Sequence, residues 1–208
     1  MRIQYMSDLH MELYDNSRYL KTKEFDANGD VLVLAGDTFY LRDIIAPQKR
    51  FWNWASKNFQ QVLLVPGNHE FYSNGDVTAR GDSWQWMIRE NVGYYYNKVV
   101  RIDDTDFILT TLWSRIPEQD MFHVQRGMND FRQIMYDGRR FTPDDFNLEH
   151  EKCLTFLKQA VKGKYRQAYR CGYTSSSDII SGGSPVHGFR SKRSLCYRTG
   201  KLYCRQSH

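Results

Sequence analysis

The chain has 208 residues, 41% apolar and 15% aromatic, enough for one domain with a real core and too few for two comfortable ones. A mean hydropathy of -0.66 and the lack of a long apolar run exclude a membrane span. The net charge of +5 would suggest a nucleic-acid partner, but residues 165–208 alone carry eight Lys and Arg against Asp178, leaving 21 basic and 23 acidic residues in 1–164.

In chain order, Met1-Arg2 leads straight into the alternating Ile3-Gln4-Tyr5-Met6, and Asp8 interrupts before the apolar core of a secretory signal could form; a cytoplasmic protein is expected. Ile3–Ser7, Val31–Ala35 and Val62–Val65 read as strands. The last two are continuous apolar runs, as in strands covered on both faces. Between them, Ile45, Phe51, Trp52, Ala55 and Phe59 recur at helical spacing, with Pro47 near the start, predicting a helix over Ile44–Phe59. Ser83–Asn91 reads as a second helix and Phe107–Trp113 as another strand. Thr142 is placed to cap a helix that has Pro143 in its first turn, runs to about Lys162 and stops at Gly163, with Phe146, Leu154, Leu157 and Val161 inward. This rhythm predicts an α/β sandwich with a largely parallel first sheet. After Lys164 no period persists, and Tyr173–Ser184 is rich in Ser and Gly, as in a disordered basic tail. Cys153, Cys171, Cys196 and Cys204 lack zinc-knuckle or CxxC spacing and are expected as free thiols.

Each of the first three strands runs out into hard metal ligands: Asp8-Leu9-His10, then Gly36-Asp37, then Gly67-Asn68-His69-Glu70. In open α/β folds chemistry gathers at the carboxyl ends of the strands. Asp8 and His10, as alternate residues on an extended strand end, would project to one side and grip one cation. Asp37 has two oxygens and can bridge two cations, and Asn68 offers a neutral amide oxygen to the second. Gly36 and Gly67 let the backbone turn tightly into the site. Carboxylate, imidazole and amide together suit Mn, Fe or Zn.

Quoted as D-L-H, G-D and G-N-H-E, these residues resemble the first three motifs of the calcineurin-like metallophosphoesterase superfamily. The resemblance covers roughly residues 1–164, including Met128-Asn129-Asp130-Phe131 and the Asp144–Lys164 helix. It implies an α/β/β/α sandwich, incomplete at the C-terminus, over 1–164, with 165–208 as a basic tail. It also implies a hydrolase with a phosphate-ester substrate, two divalent or trivalent metal ions, and a metal-activated hydroxide attacking phosphorus in line. Asp8, His10, Asp37 and Asn68 would be the metal ligands. His69 would not ligate metal; it would stand beside the substrate with Asn68 and stabilise the transition state or protonate the leaving group, its pKa set by a neighbouring carboxylate. Glu70 matches a position where the family has Asp or Glu.

The family pattern continues with a strand ending in a ligand histidine, often His-His, and later a Gly-His-x-His loop; this sequence has neither. His123 and His150 read as surface histidines, His187 stands in the wrong order, and His208 is terminal. Metal should therefore be held weakly and activity impaired. Read one base later from Tyr165, ordinary codons can give Thr-Gly-Lys-Arg-Ile-Val-Val-Val-Thr-His-His-Leu-Pro-Thr, which places a frameshift near Gly163 among the expectations. Two alternatives to an active phosphoesterase stand beside it: a truncated, catalytically dead family member, and a nucleic-acid-binding module acting through the basic tail.

Overall fold

The apolar runs of the sequence become the centre of a parallel sheet. In the computed structural model, which describes residues 1–22, 25–43, 49–162, 169–172 and 203–205, the first strands are β1 (Ile3–Met6), β2 (Val31–Ala35) and β3 (Gln61–Val65). β1 pairs parallel with β2, and β2 with β3, through crossovers that contain α1 (Tyr14–Thr22) and α2 (Lys49–Asn58). Both faces of β2 and β3 are covered, which is why they are apolar without alternation. Leu32, Leu34, Val62 and Leu64 pack with Phe51, Trp52, Ala55 and Phe59 on the helical side. Val31, Val33, Leu63 and Val65 pack with Phe107 and Leu109 of a second sheet. The expected first turn of the helix, with Ile45 and Pro47, lies outside the described residues.

The stretch expected to be a second helix is a strand. β4 (Trp84–Arg89) turns back through Glu90-Asn91 and pairs antiparallel with β5 (Val92–Tyr96). Trp84 and Ile88 are buried while Gln85 and Met87 are exposed, so the working period is two. Apolar residues at 84, 87 and 88 also satisfy a helical spacing. The tie is broken by a cross-strand neighbour, because Trp84 stands opposite Tyr96 with the rings stacked at 5.6 Å and 10°. β5 joins β3 in parallel, giving the order β1-β2-β3-β5-β4.

The second sheet is built on the hairpin of β6 (Lys98–Ile102) and β7 (Thr105–Leu109), turning at Asp103 with φ of 52°. β7 ends four residues before the expected Trp113. Beyond it Thr110 donates to Asn97 Oδ1 at 2.7 Å and Thr111 to the Pro66 carbonyl at 2.7 Å, so side chains replace the ladder. The next segment holds α3 (Met121–Gly127), α4 (Asp130–Gln133) and the short hairpin of β8 (Met135–Tyr136) and β9 (Arg139–Arg140).

α5 covers Pro143–Lys162, with the expected bounds. Thr142 and Asp145 close its first turn reciprocally: Thr142 N donates to Asp145 Oδ2 at 2.9 Å, and Asp145 N to Thr142 Oγ1 at 3.3 Å. Its inward face differs from the expected one. Phe146, Glu149, Cys153 and Ala160 are buried, Leu154 and Leu157 are half-buried, and Val161 is 55% exposed. A hydrophobic pattern points a glutamate outward, but Glu149 turns in because Tyr96, Tyr136 and Lys152 wait for it with donors. Cys153 is a free thiol; nothing is described of the other cysteine side chains.

Within 165–208, where no period was expected, two strands are described. β10 (Tyr169–Gly172) runs parallel to β7 and β11 (Tyr203–Arg205) antiparallel to β10, giving the order β11-β10-β7-β6. The rest of that stretch, including the Ser/Gly-rich segment, lies outside the described residues, as does Gly163 before it. The layers are thus helices on one five-stranded sheet, which faces a second sheet, the mixed α/β sandwich that the sequence predicted.

Candidate metal centre

The tips of β1, β2 and β3 are stitched together before any side chain is considered. Asp8 N donates to Gly36 O at 3.1 Å, His10 N to Asp37 O at 2.9 Å and Met11 N to Thr38 O at 3.0 Å, prolonging the contact of β1 with β2 past the strands themselves. Glu70 performs the second stitch. Its buried carboxylate accepts from Asp37 N (3.0 Å), Thr38 N (2.8 Å), Gly67 N (2.7 Å) and the Tyr94 hydroxyl (3.1 Å), tying the tip of β2 to that of β3. Burial first, then the charge of Asp37, push Glu70 up to about 7 against the pull of those donors.

This stitching forces unusual backbones on the candidate ligands. β1 ends at Met6, so Asp8 and His10 do not lie on an extended strand and do not meet by alternation. Their φ angles are 56° and 41°, and that of Asp37 is 51°. Of nine non-glycine residues with positive φ among the described residues, three are these candidate ligands, a place where local strain is tolerated for the sake of side-chain direction. The two glycines serve differently. Gly36 has φ of 84°, whereas Gly67 is required for space, since a Cβ there would lie 2.1 Å from Asp37 Oδ1.

The outcome is convergence. One ligand atom each from Asp8, His10 and Asp37 lies within 4.8 Å of the others. His69 donates its backbone N–H to Asp37 Oδ1 at 3.2 Å, and its ring meets that of His10 at 4.4 Å, edge-on. Asn68, 6% exposed, donates Nδ2 to Asp130 Oδ1 at 2.9 Å and to Tyr72 Oη at 3.4 Å, which commits the amine side of the amide and leaves its carbonyl oxygen to face elsewhere. Tyr72 donates to the same Asp130 oxygen at 2.7 Å and stacks on His69 at 4.2 Å.

A cation fits this donor set. Asp37 is pushed up, chiefly by burial and further by the charge of Asp8, while His69 and His10 pull it down; a positive ion between the carboxylates would relieve both costs. Carboxylate and imidazole oxygen and nitrogen donors suit a first-row transition ion. Of the remaining histidines only His123 and His150 are described, and neither belongs to this cluster. His123 is exposed on α3, in edge contact with Phe122, and His187 and His208 lie outside the described residues. His150 is half-buried rather than on the surface, with Nδ1 against the Trp113 carbonyl.

Three residues around the site went unread in the sequence. Glu12, 7% exposed in its side chain, accepts at Oε1 from His10 Nδ1 at 3.0 Å and His69 Nδ1 at 3.1 Å. Burial opposes its ionisation, but the bonds from His10 and then His69 outweigh it and hold the carboxyl at about 2. Glu12 also raises His10 through the same hydrogen bond. Asp130 and Tyr72 hold Asn68. A signal existed for Glu12, two residues beyond His10, and Asp130 stands in the Met128–Phe131 stretch that shares the family resemblance; its task of orienting an amide 62 residues away could not be read from either.

Comparison with known proteins adds three findings. The family model of calcineurin-like phosphoesterases matches residues 1–205. An uncharacterized protein, L509, of Acanthamoeba polyphaga mimivirus is 27% identical over 186 residues, covering 80% of this chain and 65% of the relative, so the chain spans about two thirds of that relative's length. The crystal structure of a phosphopantetheinyl hydrolase from Mycobacterium tuberculosis superposes with a TM-score of 0.53 at 16% identity, over 83% of this chain and 67% of that one, a likeness of fold.

Proposed function

The chain belongs to the calcineurin-like phosphoesterase family, and from that premise we propose that it acts as a metal-dependent hydrolase of phosphate esters in the cytoplasm. The observation that carries the reading is the convergence of Asp8, His10 and Asp37 within 4.8 Å, each on a left-handed backbone. Asp8 and His10 would hold one metal ion, Asp37 would bridge it to a second, and Asn68 would offer the second its carbonyl oxygen. When bound, such ions activate water and neutralise charge on phosphate oxygens. Asn68 and His69 would face the substrate. His69 would pass a proton from Nε2 to the leaving-group oxygen as the P–O bond breaks.

The reading includes impairment. The later histidine motifs of the family are absent from the sequence, and with fewer donors the ions would be held loosely. The frameshift near Gly163 belongs to this proposal and falls outside the described residues; sequencing the DNA tests it, and a shifted frame that stops at once or lacks the histidines ends it. Elemental analysis of the purified protein, with turnover of a chromogenic phosphodiester in added manganese, tests the rest. With manganese added, wild type should bind more metal than Asp37→Ala; equal binding by the two would overturn the site.

Nucleic-acid binding rests on the charge of residues 165–208. Three of the tryptophans it could use for stacking on bases are buried in the core, Trp52 and Trp113 at 0% and Trp84 at 6% exposed, whereas Tyr14, Tyr19 and Phe122 stand exposed. No helix among the described residues is long and apolar enough to cross a membrane.

A further inference from the structure

A histidine presents one nitrogen to its chemistry only if something holds the other. Here one atom holds two. Glu12 Oε1 lies 3.0 Å from His10 Nδ1 and 3.1 Å from His69 Nδ1, and the two rings meet edge-on at 4.4 Å across it. The turn carrying Glu12 is itself fixed, by Leu13 N on the His10 carbonyl at 3.0 Å and by Asn16 Nδ2 on the Leu9 carbonyl at 3.0 Å. A carboxylate is an acceptor alone, so both imidazoles must keep their proton at Nδ1 and leave Nε2 bare when neutral. The other oxygen, Oε2, is buried without a hydrogen-bond partner, which costs stability. Such a cost is accepted more readily where a side chain is fixed for chemistry than where it serves stability.

We propose that Glu12 is a positioning residue that sets the tautomer of His10 and His69 together, one as metal ligand and the other as proton donor. The inference rests on the metal-dependent phosphoesterase reading. For His10, a bare Nε2 is the lone pair a cation needs while Nδ1 is engaged. For His69, loss of the Nε2 proton to a leaving group yields the same Nδ1–H tautomer that Glu12 already accepts from, so the ring neither rotates nor exchanges protons afterwards. The logic is that of the aspartate behind the histidine in a serine-protease triad, applied to two rings at once.

The test reads tautomers directly. Imidazole nitrogen–proton correlation spectra of the full chain, recorded metal-free at about pH 9, above the ordinary histidine range, should show His10 and His69 with protonated Nδ1 and bare Nε2. His10→Gln and His69→Gln variants provide the assignments. Glu12→Ala should move both rings towards the Nε2–H form and weaken manganese binding in a calorimetric titration roughly 10–100-fold. Glu12→Gln keeps an acceptor oxygen at the same reach, so it should retain the tautomers and lose less affinity; it carries the test if the alanine variant does not fold. Wild-type spectra with Nε2–H rings, or Glu12→Ala or Glu12→Gln spectra in which neither ring responds as stated, overturn the proposal. If wild type takes up no manganese while the tautomers behave as described, the phosphoesterase reading fails and the positioning role of Glu12 stands.

Discussion

Two buried glutamates show how differently the two ends of this molecule use the same group. Glu70, at the strand tips, collects three backbone N–H groups and the Tyr94 hydroxyl, with no cationic side chain bonded to it among the described residues. Glu149, on α5, collects the hydroxyls of Tyr96 (2.6 Å) and Tyr136 (2.9 Å) and the Lys152 ammonium (2.9 Å), and Lys152 reaches on to Asp82 at 2.8 Å. The first arrangement leaves negative charge gathered beside Asp37; the second neutralises its charge locally. On the proposed metal-dependent reading, a carboxylate that shapes the loops around a cation would forgo a cation of its own, whereas one that only joins a helix to a sheet can take a lysine.

The comparison can be broken most decisively at Glu70. Glu70→Ala should leave three backbone donors without an acceptor, cost about 3–5 kcal/mol in urea unfolding and abolish metal uptake, because the tips of β2 and β3 are no longer tied. A variant that unfolds like wild type and still carries metal would mean that the stitch is dispensable. Glu149→Gln should cost less, about 1–2 kcal/mol, since an amide still accepts from one of the tyrosines, and it should leave metal content unchanged. Metal loss in that variant would erase the distinction between the two regions.

The smallest effects belong to the start of α5. Thr142→Ala removes a cap and should lower stability by about 1 kcal/mol without touching the metal centre. Burial works against ionised Asp145, but hydrogen bonds from Arg139 and Thr142 prevail and hold its carboxyl below the ordinary value. With the folded value depressed, the stabilisation is fully present above the ordinary carboxylate range and is lost as pH falls through the depressed value. Asp145→Asn should flatten that acid limb of the stability curve. An unchanged limb would show that the exposed Arg139 partner, 56% open to solvent, contributes little there.

Much of the site was legible because its donors come just after apolar runs. Val31–Ala35 and Val62–Val65 announce strands covered on both sides, and Asp37 and Asn68 stand just past their ends. The geometry that gathers the donors was not legible. Asp8 and His10 were expected to meet through strand alternation, yet they meet through left-handed backbones imposed by hydrogen bonds to the tip of β2. Trp84–Arg89 satisfies two periods, and only Tyr96 across the hairpin selects one. Val161 was expected inside, yet Glu149 took an inward place because distant tyrosines could bond it.

By itself the sequence determined which residue types stand at the ends of which buried strands, since burial of an apolar run and the polarity of the residues just past it are local properties. Tertiary structure alone decided where the donors point and what holds them, because Glu12, Glu70 and Asp130 act on partners in other segments, through hydrogen bonds that arise when the chain has closed on itself.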